Sequence, residues 1–452
     1  MALLTFAGIP AAQHADAHPK RPGQQPPNIV LIHLDDMGYG DLTATGATGY
    51  RTPNIDRLCA EGMRFTNYYS AQAVSSASRA GLLTGCYPNR IGFAGALGPK
   101  SKTGLNPDEE TMAENLKKAG YATAIVGKWH VGCRPGLMPL DHGFDEYFGL
   151  PYSNDMWPHH PQTSSYPPLP LYEGRKVVNP SVSAADQAQL TTRYTEHAVD
   201  FITRRSEGPF FLYLAYDAPH EPYVIDDTSW YDDRSDWTMN TKRYASLITH
   251  MDKAIGRLLS HLDSIGLREN TMVIFASDNG AAVQAPLKEL GCNAGFNGRK
   301  GMLYEGGIRV PFIVNQPGKV PVQKLDNIIY FPDVMPTLAA LAGGEASLPQ
   351  GIDGMNILPL FYGRQVDTDN RLLYWEFPGK QRAARRGDWK CVTVKKNKPL
   401  ELYNLKDDPG ERHNLAAEHP DMVERFDREM KAMHHPSPNW PLEGETLPAG
   451  GL

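Results

Sequence analysis

The sequence predicts an α/β fold in which a large, mostly parallel central sheet is covered by helices, followed by a small antiparallel sheet with a closing helix. Three observations carry this expectation. Apolar runs of strand length alternate with segments whose apolar residues fall at helical spacing, the pattern that builds parallel sheets. Those runs are apolar at nearly every position rather than every second one, as strands covered on both faces are. After Pro359 the pattern changes to short alternating runs split by turns, which marks antiparallel pairing.

From the N-terminus, MALLTFAGIPAAQHADA joins a short apolar run to small residues. This reads as an export signal with a weak basic region, or else as a plain leader. The export reading puts the protein in a periplasm or outside the cell. A polar, Pro-rich linker, HPKRPGQQPP, leads into the fold, so residues 1–26 stand apart from it. No other run approaches the length of a membrane span. Lys plus Arg number 45 against 51 Asp plus Glu in 452 residues, which removes the electrostatic case for nucleic-acid binding. Five cysteines, Cys59, Cys86, Cys133, Cys292 and Cys391, are widely spaced without a CxxC pair. Neither a disulfide scaffold nor a zinc site is expected.

Four apolar runs end in residues able to do chemistry. NIVLIHLDDMGYGD predicts a strand over Ile29–Leu34 that stops at Asp35 and Asp36. GYATAIVGKWH predicts one over Ala122–Val126, followed by Lys128 and His130. PFFLYLAYDAPHEP runs from Phe210 to Tyr216 and delivers His220, and TMVIFASDNGA runs from Met272 to Ala276 and delivers Asp278 and Asn279. Helical spacing over Thr111–Gly120 and Thr241–Gly266, each ending in Gly, supplies covering helices. An acid after a single strand is commonly just a turn. Four such ends in a parallel sheet read as one site, because ligands bind outside the carboxyl ends of the strands.

The residue types then assign roles. Asp35, Asp36, Asp278 and Asn279 are oxygen donors without sulfur or imidazole, which selects Ca²⁺ or Mg²⁺ over zinc and suits Ca²⁺ better. Arg79, Lys128 and Lys300 supply positive charge for an anionic substrate. His130 and His220 are the strand-end imidazoles and form the natural acid/base pair. The segment VSSASRAGLLTG, residues 74–85, sets small residues before Arg79 and then an apolar helix. Small residues suit a helix start. They also leave room for an anion at the helix N-terminus.

VSSASRAGLLTG resembles the signature of the sulfatases, in which Cys or Ser, any residue, Pro or Ala, any residue and Arg lead into Leu-Thr-Gly. PNIVLIHLDD, GKWH, APHEP, SDNGA and GRKGMLYEGGIRVP match that family in order and spacing over roughly residues 27–430. GLPYSNDMWP, SDNGAA and GRKGMLYEGG are most similar to the arylsulfatase A and N-acetylgalactosamine-6-sulfatase branch. The resemblance implies an alkaline-phosphatase-like sandwich with a catalytic domain over 27–365 and a C-terminal subdomain and tail over 366–452. It implies that Ser75 is oxidised by a maturation enzyme to formylglycine, or that Ser stands there in place of Cys. It further implies one Ca²⁺ held by Asp35, Asp36, Asp278, Asn279 and the modified residue 75. Arg79 would hold the aldehyde hydrate, Lys128 and Lys300 the sulfate oxygens, His220 would protonate the departing sugar oxygen, and His130 would assist sulfate release. Ser153 matches a sulfate-contacting serine.

The implied substrate is a sulfated carbohydrate, with sulfated galactose or N-acetylgalactosamine of mucin or glycosaminoglycan type favoured by the branch. The long loop Gly149–Pro180 offers Asn154, Asp155, His159 and His160 to sugar hydroxyls, with Tyr152 and Trp157 as stacking faces or buried anchors. The same loop also reads as a structural cover. Arg385 and Arg386 read as a solvated charge pair, with entry to the pocket rim as the alternative. Two rival functions stay open at this point. One is a phosphomonoesterase or phosphodiesterase of the same superfamily; the other is a non-catalytic, calcium-dependent binder of sulfated glycans.

Overall fold

The protein is described by a computed structural model over residues 26–378, 381–395 and 398–441. The signal-like segment up to residue 25 and the tail from residue 442 fall outside the described residues.

The large sheet contains β1 (Asn28–Leu34), β2 (Met63–Tyr69), β3 (Ala122–Gly127), β4 (Glu146–Gly149), β5 (Leu171–Glu173), β6 (Lys176–Asn179), β7 (Phe210–Ala215), β8 (Thr271–Ser277), β9 (Phe312–Asn315) and β10 (Gln323–Tyr330). Their order across the sheet is β10-β2-β9-β8-β1-β7-β3-β4-β5-β6. The central neighbours β8, β1, β7 and β3 are all parallel. β9 runs antiparallel to β2 and β8, and at the other end β5 runs antiparallel to β4 and β6, so the sheet is mixed toward both edges.

β1 shows why the predicted runs are apolar throughout. Alternate side chains of a strand face opposite sides, and here both sides are core. Ile29 and Leu31 join one buried cluster, while Val30, Ile32 and Leu34 join the other. The second cluster is covered by helices Ala184–Arg204 and Met239–Ser264, which bury Tyr194, Phe201, Ile248 and Ile255. Helices Met112–Lys118 and Val334–Ala342 cover the first, with Leu116 and Leu338 buried. Thr111 and Glu114 form a capping box at one of these starts. Thr238 caps helix Met239–Ser264, which begins two residues before the predicted start.

The segment expected as loop from Gly149 to Pro180 is loop only in its first part. Leu171–Glu173 and Lys176–Asn179 form a hairpin that extends the sheet edge. Gly174, at φ 57°, makes the two-residue turn, a signal that the surrounding Pro-rich sequence obscures.

The C-terminal sheet is an antiparallel meander of β11 (Leu373–Phe377), β12 (Gln381–Arg386), β13 (Trp389–Thr393) and β14 (Glu401–Asn404). Helix Pro420–Met433 closes it by burying Phe426 and Met430. Trp375, Ala383, Cys391 and Leu402 of this sheet share one core cluster with Tyr69 and Leu83 of the large domain. All five cysteines are free. Among the described residues no helix is long and apolar enough to cross a membrane.

Arg385 and Arg386 are not a solvated pair. Neighbours on a strand face opposite sides, so Arg386 meets Glu429 at 3.0 Å while Arg385 turns inward. Arg385 donates to the Tyr69 hydroxyl and lies 5.0 Å from its ring centroid. It thereby joins a buried network in which the Lys390 ammonium meets Glu305 at 2.9 Å and Glu411 at 2.8 Å. The Tyr69 hydroxyl donates to the second oxygen of Glu305 at 2.6 Å. Removing one partner of a buried ion pair strands the other charge, so Lys390→Ala is expected to destabilise the protein by about 3–5 kcal/mol in urea unfolding.

Candidate active site

The four central strands end side by side and deliver the predicted groups to one place. Asp35 and Asp36 follow β1, Lys128 and His130 follow β3, His220 follows β7, and Asp278 and Asn279 follow β8. Asp36 and His130 hold left-handed backbone, at φ 62° and 63°, a conformation that non-glycine residues adopt rarely and often at functional positions. Gly127 is required just before Lys128: at φ 114°, a Cβ there would lie 1.9 Å from the carbonyl oxygen of Ala215.

Helix Ser75–Thr84 enters this cluster with every residue buried. Its small residues are packing as well as clearance: the Ser76 hydroxyl accepts from the Leu97 amide at 2.9 Å, and that of Ser78 donates to the Asp278 carbonyl at 2.6 Å. Arg79, one turn in, is fully buried. Its guanidinium donates twice to Asp278 Oδ2, at 3.0 and 3.1 Å, and once to the Lys128 carbonyl at 3.0 Å.

Ser75 Oγ donates to Asp35 Oδ1 at 3.0 Å and lies 3.3 Å from Lys128 Nζ. That ammonium also contacts Asp35 Oδ2 and donates to Ser153 Oγ at 3.1 Å. Opposite, Lys300 Nζ stands 2.8 Å from Asp36 Oδ2 and 2.9 Å from His220 Nε2. Its loop is fixed by backbone bonds from Lys300 to Ala281 and from Gly301 to Ala73. Gln381 of β12 holds the same loop, accepting from the Leu303 amide and donating to the Gly301 carbonyl.

Charge compensation sets the protonation states. Burial pushes the Asp35 carboxyl up, but Lys128, His220 and Arg79 outweigh it and bring it to about 2. Burial works against the Lys300 ammonium, yet Asp36 and Asp35 hold it protonated above its ordinary range. His130 is driven well below the usual imidazole value by burial and by Lys128. Its Nε2 bonds the Leu97 carbonyl at 2.8 Å, and its Nδ1 has no partner among the described residues.

Asp35, Asp36 and His220 each offer one atom within 4.8 Å of the others, as a metal-holding group does. Asn279 donates to Asp36 Oδ1 at 2.7 Å, while its own Oδ1 is buried without a partner among the described residues. An orphaned amide oxygen beside two carboxylates fits a hard cation such as Ca²⁺. Asp278 reaches the same cluster, with Oδ1 accepting from the Asp36 amide at 3.1 Å and Oδ2 on Arg79.

Comparison with known proteins places this geometry. A model of the family described as Sulfatase matches residues 27–344, and one described as N-sulphoglucosamine sulphohydrolase, C-terminal, matches residues 294–435. The chain belongs to the sulfatase family. It is 38% identical over 390 residues to the N-acetylgalactosamine-6-sulfatase of Canis lupus familiaris, covering 82% of this chain and 71% of that one. With Homo sapiens arylsulfatase A it shares 34% over 432 residues, covering 86% and 83%. The crystal structure of Ps i-CgsB in complex with k-i-k-neocarrahexaose superposes with TM-score 0.82 at 31% identity, covering 93% of this chain and 96% of that one. The sulfatase is a hydrolase of sulfate esters.

The loop residues of the sulfatase divide. Ser153 lies in the charge network. Asp155 Oδ2 meets His160 at 3.6 Å. Asn154 is buried and donates to Gln187 of helix Ala184–Arg204 at 3.1 Å, and His159 is exposed, edge-on to Trp157. Tyr152 and Trp157 are buried anchors rather than open stacking faces.

Sequence reading passed over groups beneath and beside the site. His33 points into the core within a run that reads as plain strand, and its Nδ1 is 2.8 Å from the Tyr213 hydroxyl. Asp217 accepts from Tyr194 at 2.7 Å and is pushed by burial to about 6. The alternation of β1 between two cores was the available signal for His33: a polar residue at a core position needs a partner.

Burial, then Arg79, lowers the His33 imidazole to about 3. A depressed folded value gives stability present above pH 6.5 that is lost as pH falls through 3. This window should cost up to about 5 kcal/mol, read as denaturant midpoint against pH, and His33→Asn should flatten the slope.

Proposed function

We propose that this sulfatase removes O-sulfate from a carbohydrate, using a formylglycine made from Ser75 and one Ca²⁺. The observation that carries this reading is the position of Ser75 Oγ, between the Asp35 carboxylate and the Lys128 ammonium at the start of a buried helix. Asp35, Asp36, Asp278, Asn279 and residue 75 would hold the ion, which when bound supplies positive charge to sulfate oxygens and lowers the pKa of an adjacent hydroxyl. A formylglycine hydrate supplies two hydroxyls, one to attack sulfur and one whose deprotonation expels sulfate and restores the aldehyde.

The chain's own groups fill the remaining roles. Arg79, locked between Asp278 and the Lys128 carbonyl, orients residue 75. The helix start, Lys128, Lys300 and Ser153 face the sulfate oxygens and stabilise the charge that develops there. His220, with Nδ1 2.5 Å from the Glu221 carbonyl and Nε2 accepting from the Lys300 ammonium at 2.9 Å, is placed to pass a proton taken from Lys300 to the departing sugar oxygen. His130, kept neutral, is suited to accept the proton from the second hydroxyl.

Galactose or N-acetylgalactosamine sulfates of mucin or glycosaminoglycan type are the proposed substrates. Support comes from the N-acetylgalactosamine-6-sulfatase relatives and from the k-i-k-neocarrahexaose bound to Ps i-CgsB. A maturation enzyme that oxidises serine and an exported location complete the reading; N-terminal sequencing of protein from its own host tests the export.

The mass of the tryptic peptide FTNYYSAQAVSSASR, residues 65–79, is the deciding measurement. Loss of two hydrogens at Ser75 supports turnover, and an unmodified Ser75 leaves a calcium-dependent binder. Matured protein should lose sulfate release on chelation and regain it with Ca²⁺. Lys300→Ala should lower kcat by about 10²–10³-fold in a sulfate-release assay.

A further inference from the structure

Beside His220, a cavity of about 190 Å³ is lined by Asp155, Glu221, Tyr223, Asn240 and Gln284. The two carboxylates belong electrostatically to the reaction centre: both interact with His220 and Lys300, and with each other. Asp155 interacts with the Ser153 side chain, but its buried Oδ1 makes no hydrogen bond of full geometry, and the hydroxyl of Tyr223, a residue only 8% exposed, has no partner among the described residues. A buried carboxylate oxygen without a well-aligned donor is unusual in a finished structure, and it is satisfied by a ligand that brings one. The Asn240 amide donates to the Gln284 carbonyl at 3.1 Å, joining two segments. Pro161 and Pro222 also line the cavity, which sets apolar rings against its polar groups, as sugar sites with one hydroxyl-rich and one C–H face require.

We propose that this cavity takes the pyranose ring that bears the sulfate, that Asp155 and Glu221 accept hydrogen bonds from its free hydroxyls, and that they reject a ring carrying a second anion. The inference rests on the carbohydrate reading above and narrows it to monosulfated, otherwise neutral sugars. The scissile sulfate is drawn to Lys128 and Lys300. A second sulfate or a carboxylate on the same ring would meet Asp155 and Glu221 in the cavity, where low dielectric and closeness make like charges repel strongly. Free hydroxyls meet the same oxygens as donors, and ionised acceptors make the stronger hydrogen bonds.

The test is binding by calorimetry to protein whose Ser75 is left unconverted, so that no turnover intervenes. The probes are N-acetylgalactosamine 6-sulfate and the same sugar carrying 4,6-disulfate. The monosulfated ring is expected to bind about tenfold tighter or more, with the preference shrinking as salt is raised. The Asp155→Asn, Glu221→Gln double variant, folded by circular dichroism, should reduce that preference to about threefold or less. Equal binding of the two probes by the unaltered protein overturns the proposal without any variant, and so does a preference that survives both substitutions. If discrimination is present but matured protein releases no sulfate from any sugar, the hydrolytic reading fails and this one stands. If neither probe binds, both fall.

Discussion

Taking Asp35, Asp36 and Asp278 out of water is tolerable only because Arg79, Lys128 and Lys300 stand against them. Each buried ion forfeits several kcal/mol of hydration, and attraction within the cluster returns this only if every charge finds a partner at contact distance. The strand order meets the requirement. β8, β1, β7 and β3 lie next to one another and in parallel, so their carboxyl ends set acids and bases side by side. Arg79 then ties the ends of β8 and β3 to helix Ser75–Thr84. The sheet is therefore less a platform for the site than the means by which its charges are kept in balance.

That balance also explains why the site pairs a depressed Asp35 with a neutral His130. Burial does most to keep the imidazole neutral, and Lys128 and Arg79, which keep the carboxylate ionised, discourage a further positive charge there. Burial and one set of neighbours thus set both protonation states, at strand ends separated only by β7.

Much of this was legible in the sequence because strand ends are local. An apolar run followed by Asp-Asp, Lys-x-His or Asp-Asn fixes both the strand and the side chains it delivers, and the four runs were found to within a residue or two. The Gly149–Pro180 segment was read less well, since a three-residue strand leaves almost no period to detect. Arg385 was misjudged because charge is a poor guide to facing on a strand that is covered on one side. Its inward turn follows the Tyr69 hydroxyl it bonds and the charge of Glu305 behind it, both far off in the chain. His33 and the cavity beside Glu221 are long-range juxtapositions of the same kind, visible only once the elements are folded together.

The attachment of the Lys300 loop to the C-terminal sheet has a consequence for how the molecule comes into being. Gln381 and Lys390, which hold Gly301, Leu303 and Glu305, are made some 80 residues after the loop they secure. A chain emerging at about 5–20 residues per second has its first strands, its serine and its acidic cluster well before those fasteners exist. The charged cluster is consequently among the parts of the large domain that wait longest for their final form, and the growing polypeptide passes through a stage in which it has the fold's central strands but not yet the fastened Lys300 loop.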